Sequence, residues 1–164
     1  VPKAYTPFQW FAQVPQEEFE RRQRLLKESI RDRAISFHYH DARASVLEGA
    51  LSRGDRRLSA VIETAWRNGA KFDGWTDQFK DEVWKDAFCR CGVAPEFYSR
   101  RTRDLEEVLP WAHTSPGVSE DFLRREWQRA QEAALTHDCR RETCTGCGVC
   151  PELGCEIVDW RGEA

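Results

Sequence analysis

Four cysteines fall within DCRRETCTGCGVC, residues 138–150: Cys139, Cys144, Cys147 and Cys150, spaced C-x4-C-x2-C-x2-C. Thiolates this dense are soft ligands suited to zinc or an iron–sulfur cluster. Gly146 and Gly148 let the backbone turn between them and direct N–H groups at sulfur. Structural zinc usually takes two ligand pairs separated by a longer loop than the two residues between Cys144 and Cys147. The C-x2-C-x2-C run, followed by Pro151, is closer to a ferredoxin ligand loop, although a bacterial ferredoxin has three residues before its last Cys-Pro. The expected metal set is therefore Cys139, Cys144, Cys147 and Cys150, with Cys155 as an alternate fourth ligand. An iron–sulfur cluster is favoured and zinc is the alternative; unligated thiols or oxidation-formed disulfides are the bland reading.

A second candidate lies in HDARASVLEGALSRGDRR, where Arg53, Arg56 and Arg57 meet at a helix junction near His40. Guanidinium forks bind phosphate or carboxylate bidentately, so these four residues form a candidate substrate or anion contact. Gly54 and Asp55 are equally explained as a helix stop and a helix start. His38 and His40 share one side of AISFHYHD, but without a third ligand they read as hydrogen-bonding residues of a strand. Cys89 and Cys91 are too close for a usual zinc pair, and Cys89 is expected to pack beside Phe88. No residue is assigned a catalytic role.

Composition narrows the class. Of 7 cysteines, 5 crowd into residues 139–155, unlike a disulfide framework spread over a secreted domain. A formal net charge of -3, with acids interspersed among the arginine pairs, gives no strongly basic face for nucleic acid. No apolar run approaches membrane-spanning length and the N-terminus lacks a signal-like layout, so a soluble cytoplasmic protein is expected. The chain contains 0 Met and opens on Val1, which suggests a piece of something longer.

Around the thiols, local signals predict the elements that must position them. Residues 1–10 read as an extended strand, followed after Pro15 by a helix to about Ser29 or Arg31 with Phe19, Leu26 and Ile30 on its buried stripe. Ile35, Phe37 and Tyr39 alternate as a strand. Helices are expected over 43–52, from Asp55 to about Asn68 (burying Leu58, Val61, Ile62 and Ala65), and from Thr76 through Phe88. Trp75 is an expected anchor, 89–117 is irregular apart from a short helix around Leu105–Val108, and Ser119 caps a last long helix with Val118, Phe122, Leu123, Trp127, Ala130 and Ala134 inward. The fold class is mainly α with a small β component (α+β).

The segments VPKAYTPFQW, RGDRRL, AWRNGAKFDGW, VLPWAHTSPGVS and DCRRETCTGCGVC, in this order over residues 1 to about 150, resemble the C-terminal stretch of radical S-adenosylmethionine (radical SAM) proteins that carry a cobalamin-binding-type domain in front. The resemblance implies a barrel-terminal strand and helix remnant at 1–34, a family-specific mostly helical extension at 35–136, and a Cys-rich metal tail at 137–164. It implies that a parent enzyme uses a 4Fe-4S cluster, S-adenosylmethionine and a cobalamin-type domain, with the rest of the barrel, on the same or a separate chain, as partner. The family's CxxxCxxC loop is absent: Cys139-x4-Cys144-x2-Cys147 is one residue too long in its first gap. The expected function is thus an accessory region of a radical SAM enzyme that is not catalytically competent alone. The alternative is a non-enzymatic metal-knuckle module contacting RNA or a protein partner.

Overall fold

Asp41 closes the first well-capped helix of the chain: its carboxylate accepts from the amides of Arg43 (2.8 Å) and Ala44 (3.3 Å), satisfying two donors that a helix start leaves open. In the computed structural model, which describes residues 1–157, seven α-helices follow one short 3-10 helix at Pro7–Trp10. They are α1 (Gln16–Ser29), α2 (Ala42–Leu51), α3 (Leu58–Arg67), α4 (Asp81–Arg90), α5 (Pro95–Ser99), α6 (Glu120–Gln131) and α7 (Val149–Leu153). The protein is mainly helical, and the expected β component is corrected: among the described residues there is no strand. Residues 35–40 take no regular structure, with Ile35 and Tyr39 more than half exposed, because an alternating segment without a partner ladder has nowhere to bury its apolar side. Residues 1–10 turn at Tyr5, which takes a left-handed φ of 57°, and then coil into the 3-10 helix.

The chain forms two compact units, one of Val1 with Phe11–Thr102 and one of Pro2–Trp10 with Arg103 onward. These units cut across the expected 1–34, 35–136 and 137–164 divisions.

In the first unit, α2 packs on α5 and α3 on α4. Leu58, Val61 and Ala65 of α3 meet Trp84, Ala87 and Phe88 of α4, with Ala50 and Tyr98 completing the core. Each large apolar side chain so buried contributes about 1.5–3 kcal/mol. Several expectations fail here. Helix α1 buries none of its residues, and Leu26 is 47% exposed. Ile62 and Trp75 also face outward, Cys89 is exposed rather than packed, and α4 begins at Asp81, not after Thr76. Pro15 and Pro95 both open helices as first-turn proline chemistry allows, but α5 itself was not anticipated.

The second unit has its own core of Trp10, Leu109 and Leu123, with Leu105, Trp111, Val118, Phe122 and Trp127 against it. Ser119 caps α6 as expected, its hydroxyl accepting from the Phe122 amide at 3.3 Å. Ala130 and Ala134 are exposed, and Leu105–Val108 forms turns, not a helix.

Buried polar ties set close approaches in the first unit. Gln13 is 4% exposed; its amide donates to the Ser99 carbonyl and its side chain to the Ser45 carbonyl, both at 2.8 Å. Gly49 leaves room for it, since a Cβ there would lie 1.6 Å from the Gln13 Oε1. Gly49→Ala should displace Gln13 from Ser45 and lower unfolding free energy by about 1–3 kcal/mol, read from urea denaturation; an unchanged midpoint would show that Gln13 relocates without cost.

Candidate metal centre

Three glycines turn the sulfur-rich segment back on itself. Gly146, between Cys144 and Cys147, has φ 70°; Gly148, between Cys147 and Cys150, has φ 94°; Gly154, just before Cys155, has φ 61°. An L side chain in this left-handed region costs roughly 1–2 kcal/mol, so the reversals are where glycine is needed. Gly148 and Gly154 bracket α7, and the Cys155 amide donates to the Cys150 carbonyl at 3.1 Å, a helix-ending closure of Schellman type. That closure folds Cys155, the fifth tail cysteine, back toward Cys150, the second residue of α7.

The loop is seated on α6. The Ser119 amide donates to the Cys147 carbonyl at 2.8 Å, and Arg125 Nη2 donates to the Gly146 carbonyl at 3.3 Å. A Cβ on Gly148 would sit 3.3 Å from the Ser119 amide nitrogen, and one on Gly117 would sit 3.0 Å from the Leu153 side chain. None of these anchors was anticipated, because a backbone acceptor carries no residue-type signature.

All seven cysteines are free thiols. The Gly146 amide donates to the Cys144 sulfur at 3.4 Å, and the Cys155 thiol lies 3.9 Å from the Val149 carbonyl. Partial burial pushes the Cys150 thiol above its ordinary value, reinforced by the neighbouring Cys155, Cys147 and Cys144. Cys150 thus feels the thiols of Cys155, Cys147 and Cys144. Cys139 stands on a separate turn, where Asp138 accepts from the Arg140 amide (3.0 Å) and guanidinium (2.7 Å). As they stand, no three His, Cys, Asp or Glu side chains among the described residues converge tightly enough to enclose an ion. Thiols are the donor type a thiophilic metal takes, and Cys144, Cys147, Cys150 and Cys155 lie in the segment reversed by the three glycines.

The arginine candidates do not gather into one anion site. Arg53 is fully buried and donates to the Ser99 carbonyl at 3.0 Å, a structural tie. Arg56 is exposed, its carbonyl accepting from the Ser59 hydroxyl at 2.8 Å. His40 is exposed, its carbonyl accepting from Gln23 at 2.9 Å. Arg57 grips Asp55 with contacts of 2.6–3.0 Å, while Tyr98 donates its hydroxyl to the same carboxylate at 3.1 Å. Its guanidinium lies 5.2 Å from the Phe97 ring centre. The aromatic partners were missed in the sequence, although Pro95 marks the start of the helix that carries them.

The chain matches no family model, no curated protein and no solved structure. No helix among the described residues is long and apolar enough to cross a membrane.

Two outcomes follow from these environments. In metal-free protein near pH 8, iodoacetamide should modify exposed Cys144 before Cys150, whose raised thiol keeps less thiolate; equal rates by mass spectrometry would contradict the clustering. The Arg57 guanidinium beside Asp55 holds its carboxyl well below the usual range, so Asp55 contributes stability that is complete above about pH 4 and is lost as pH falls through its lowered folded value. Asp55→Asn should therefore flatten the loss of stability on acidification below pH 4, measured by thermal melts; a slope unchanged from wild type would show that the pair is energetically silent.

Proposed function

We propose that this chain is the C-terminal accessory region of a radical SAM enzyme, ending in a cysteine-ligated metal centre and lacking the machinery to start radical chemistry itself. The observation that supports the metal reading is the density of thiols between Cys139 and Cys155, in a segment reversed at left-handed Gly146, Gly148 and Gly154 and seated on α6. The radical SAM assignment rests on the ordered sequence segments, and the lack of radical chemistry in this chain on the missing CxxxCxxC loop. An iron–sulfur cluster would supply an electron station or substrate ligand; zinc would supply a cross-link that holds the tail.

The ligand set that the geometry favours differs in one member from the spacing-based set: Cys155 takes the fourth position and Cys139 falls outside. The reason is distance along a helix end. Cys155 follows α7 by one glycine and is drawn to Cys150 by a backbone bond, whereas Cys139 is held in the Asp138–Glu142 turn. The alternative module that contacts RNA draws less support, since Arg43, Arg57, Arg67 and Arg140 are each paired with a neighbouring acid.

Anaerobic reconstitution with iron and sulfide, and separately with cobalt(II) as a zinc probe, tests this reading. Broad absorption near ~400 nm that bleaches on reduction identifies the cluster, and cobalt–thiolate bands without it identify a zinc-type site. Cys147→Ser and Cys155→Ser should abolish either signal, while Cys139→Ser retains it. Loss with Cys139→Ser and retention with Cys155→Ser would restore the spacing-based set, and no metal uptake by wild type would end the proposal.

A further inference from the structure

The thiol loop does more than hang from the second unit: it supplies part of the support of a neighbouring cavity. That cavity, of about 220 Å³, is lined by Tyr5, Gln9, Trp111 and residues on either side of Gly117, 114–116 and 118–120. Tyr5 donates its hydroxyl to the Trp111 carbonyl at 2.9 Å and contacts the Thr114 hydroxyl, while Gln9 accepts from the Trp111 indole at 2.9 Å, so one side is held by side-chain bonds internal to the unit. The other side, Ser115–Ser119, leans on the loop. There the Ser119 amide finds its acceptor in Cys147, Gly117 meets Leu153, and Gly148 lies against both Ser119 and the Gly117 carbonyl.

We infer that metal loading of the thiol loop is transmitted to the N-terminal end of α6 and the 115–119 wall of this cavity, so that the metal state of the tail regulates the site beside it. This rests on the metal reading above. The physical route is short. A metal binds only the folded arrangement of its ligands, so its binding free energy becomes folding free energy for the loop. The folded loop is also the arrangement that accepts from the Ser119 amide and packs Leu153 on Gly117. When the loop leaves, Ser119 loses an acceptor for its amide while its hydroxyl still caps Phe122, and α6 frays from its first turn. Coupling of this kind is reciprocal, so contacts that seat the loop must raise its affinity for metal even when they touch no ligand. Arg125 is such a contact. It is exposed, sits on α6, and reaches the loop through the Gly146 carbonyl at 3.3 Å.

The test is hydrogen exchange of the reduced full chain under argon, without metal and with stoichiometric zinc(II), or with iron and sulfide. Slower exchange in peptides covering 115–124 as well as 144–155, absent in Cys147→Ser, is the expected result. Metal bound at one equivalent with protection confined to 144–155 would overturn the coupling while leaving the metal centre intact. No metal bound removes the metal reading, and the inference with it. As a second measurement, Arg125→Ala should weaken metal binding by about 2- to 10-fold in a chelator competition; affinity equal to wild type would count against the coupling.

Discussion

The 2.8 Å bond from the Ser119 amide to the Cys147 carbonyl joins two parts of the second unit that otherwise have little in common. On one side is α6, held by an apolar core around Trp10, Leu109 and Leu123. On the other is a segment with no buried residue of its own helix and a high density of thiols and glycines. A short loop of this kind cannot cover its ordering entropy by apolar burial. Docking on a preformed helix start solves part of that problem, because the amides there need acceptors that the helix ladder does not provide. Ser119 serves both elements, with its amide to the loop and its hydroxyl to Phe122. The metal proposed for this loop would supply the remainder, because its binding free energy becomes folding free energy of the loop.

The same economy of polar ties recurs in the first unit. Arg53 and Gln13 both end on the carbonyl of Ser99, one through its guanidinium and one through its backbone amide. That carbonyl lies at the end of α5, where a helix leaves its last acceptors open. Two donors from distant parts of the chain therefore stabilise a five-residue helix that could not stand alone. The arginine-rich junction has the same character. Arg57, Asp55, Tyr98 and Phe97 form a closed set of ion pair, hydrogen bond and ring contact that fixes α5 beside the start of α3. Charge that looked available for a ligand is spent on architecture.

What could be read in advance was what depends on neighbours along the chain. The starts of α1 and α6, the stripe Leu58, Val61 and Ala65, and the turning role of Gly146 and Gly148 all follow from spacing and local capping. What misled was periodicity without a partner. Ile35, Phe37 and Tyr39 alternate like a strand, yet no second strand lies among the described residues to pair with them. Phe19 and Leu26 recur at helical spacing, yet α1 buries nothing. A stripe states that a side wants cover; it does not state that cover exists.

The sequence by itself determined the mainly helical character, the capping of α6 and the concentration of thiols with glycines at the reversals, because these depend on backbone stereochemistry and on contacts a few residues apart. Only the tertiary structure decided that Arg53 is a buried tie, that Trp75 and Ile62 face outward, and that the Cys155 amide closes on the Cys150 carbonyl. Those outcomes turn on which surfaces meet and on where a helix end delivers the following residue, and neither is encoded at any single position.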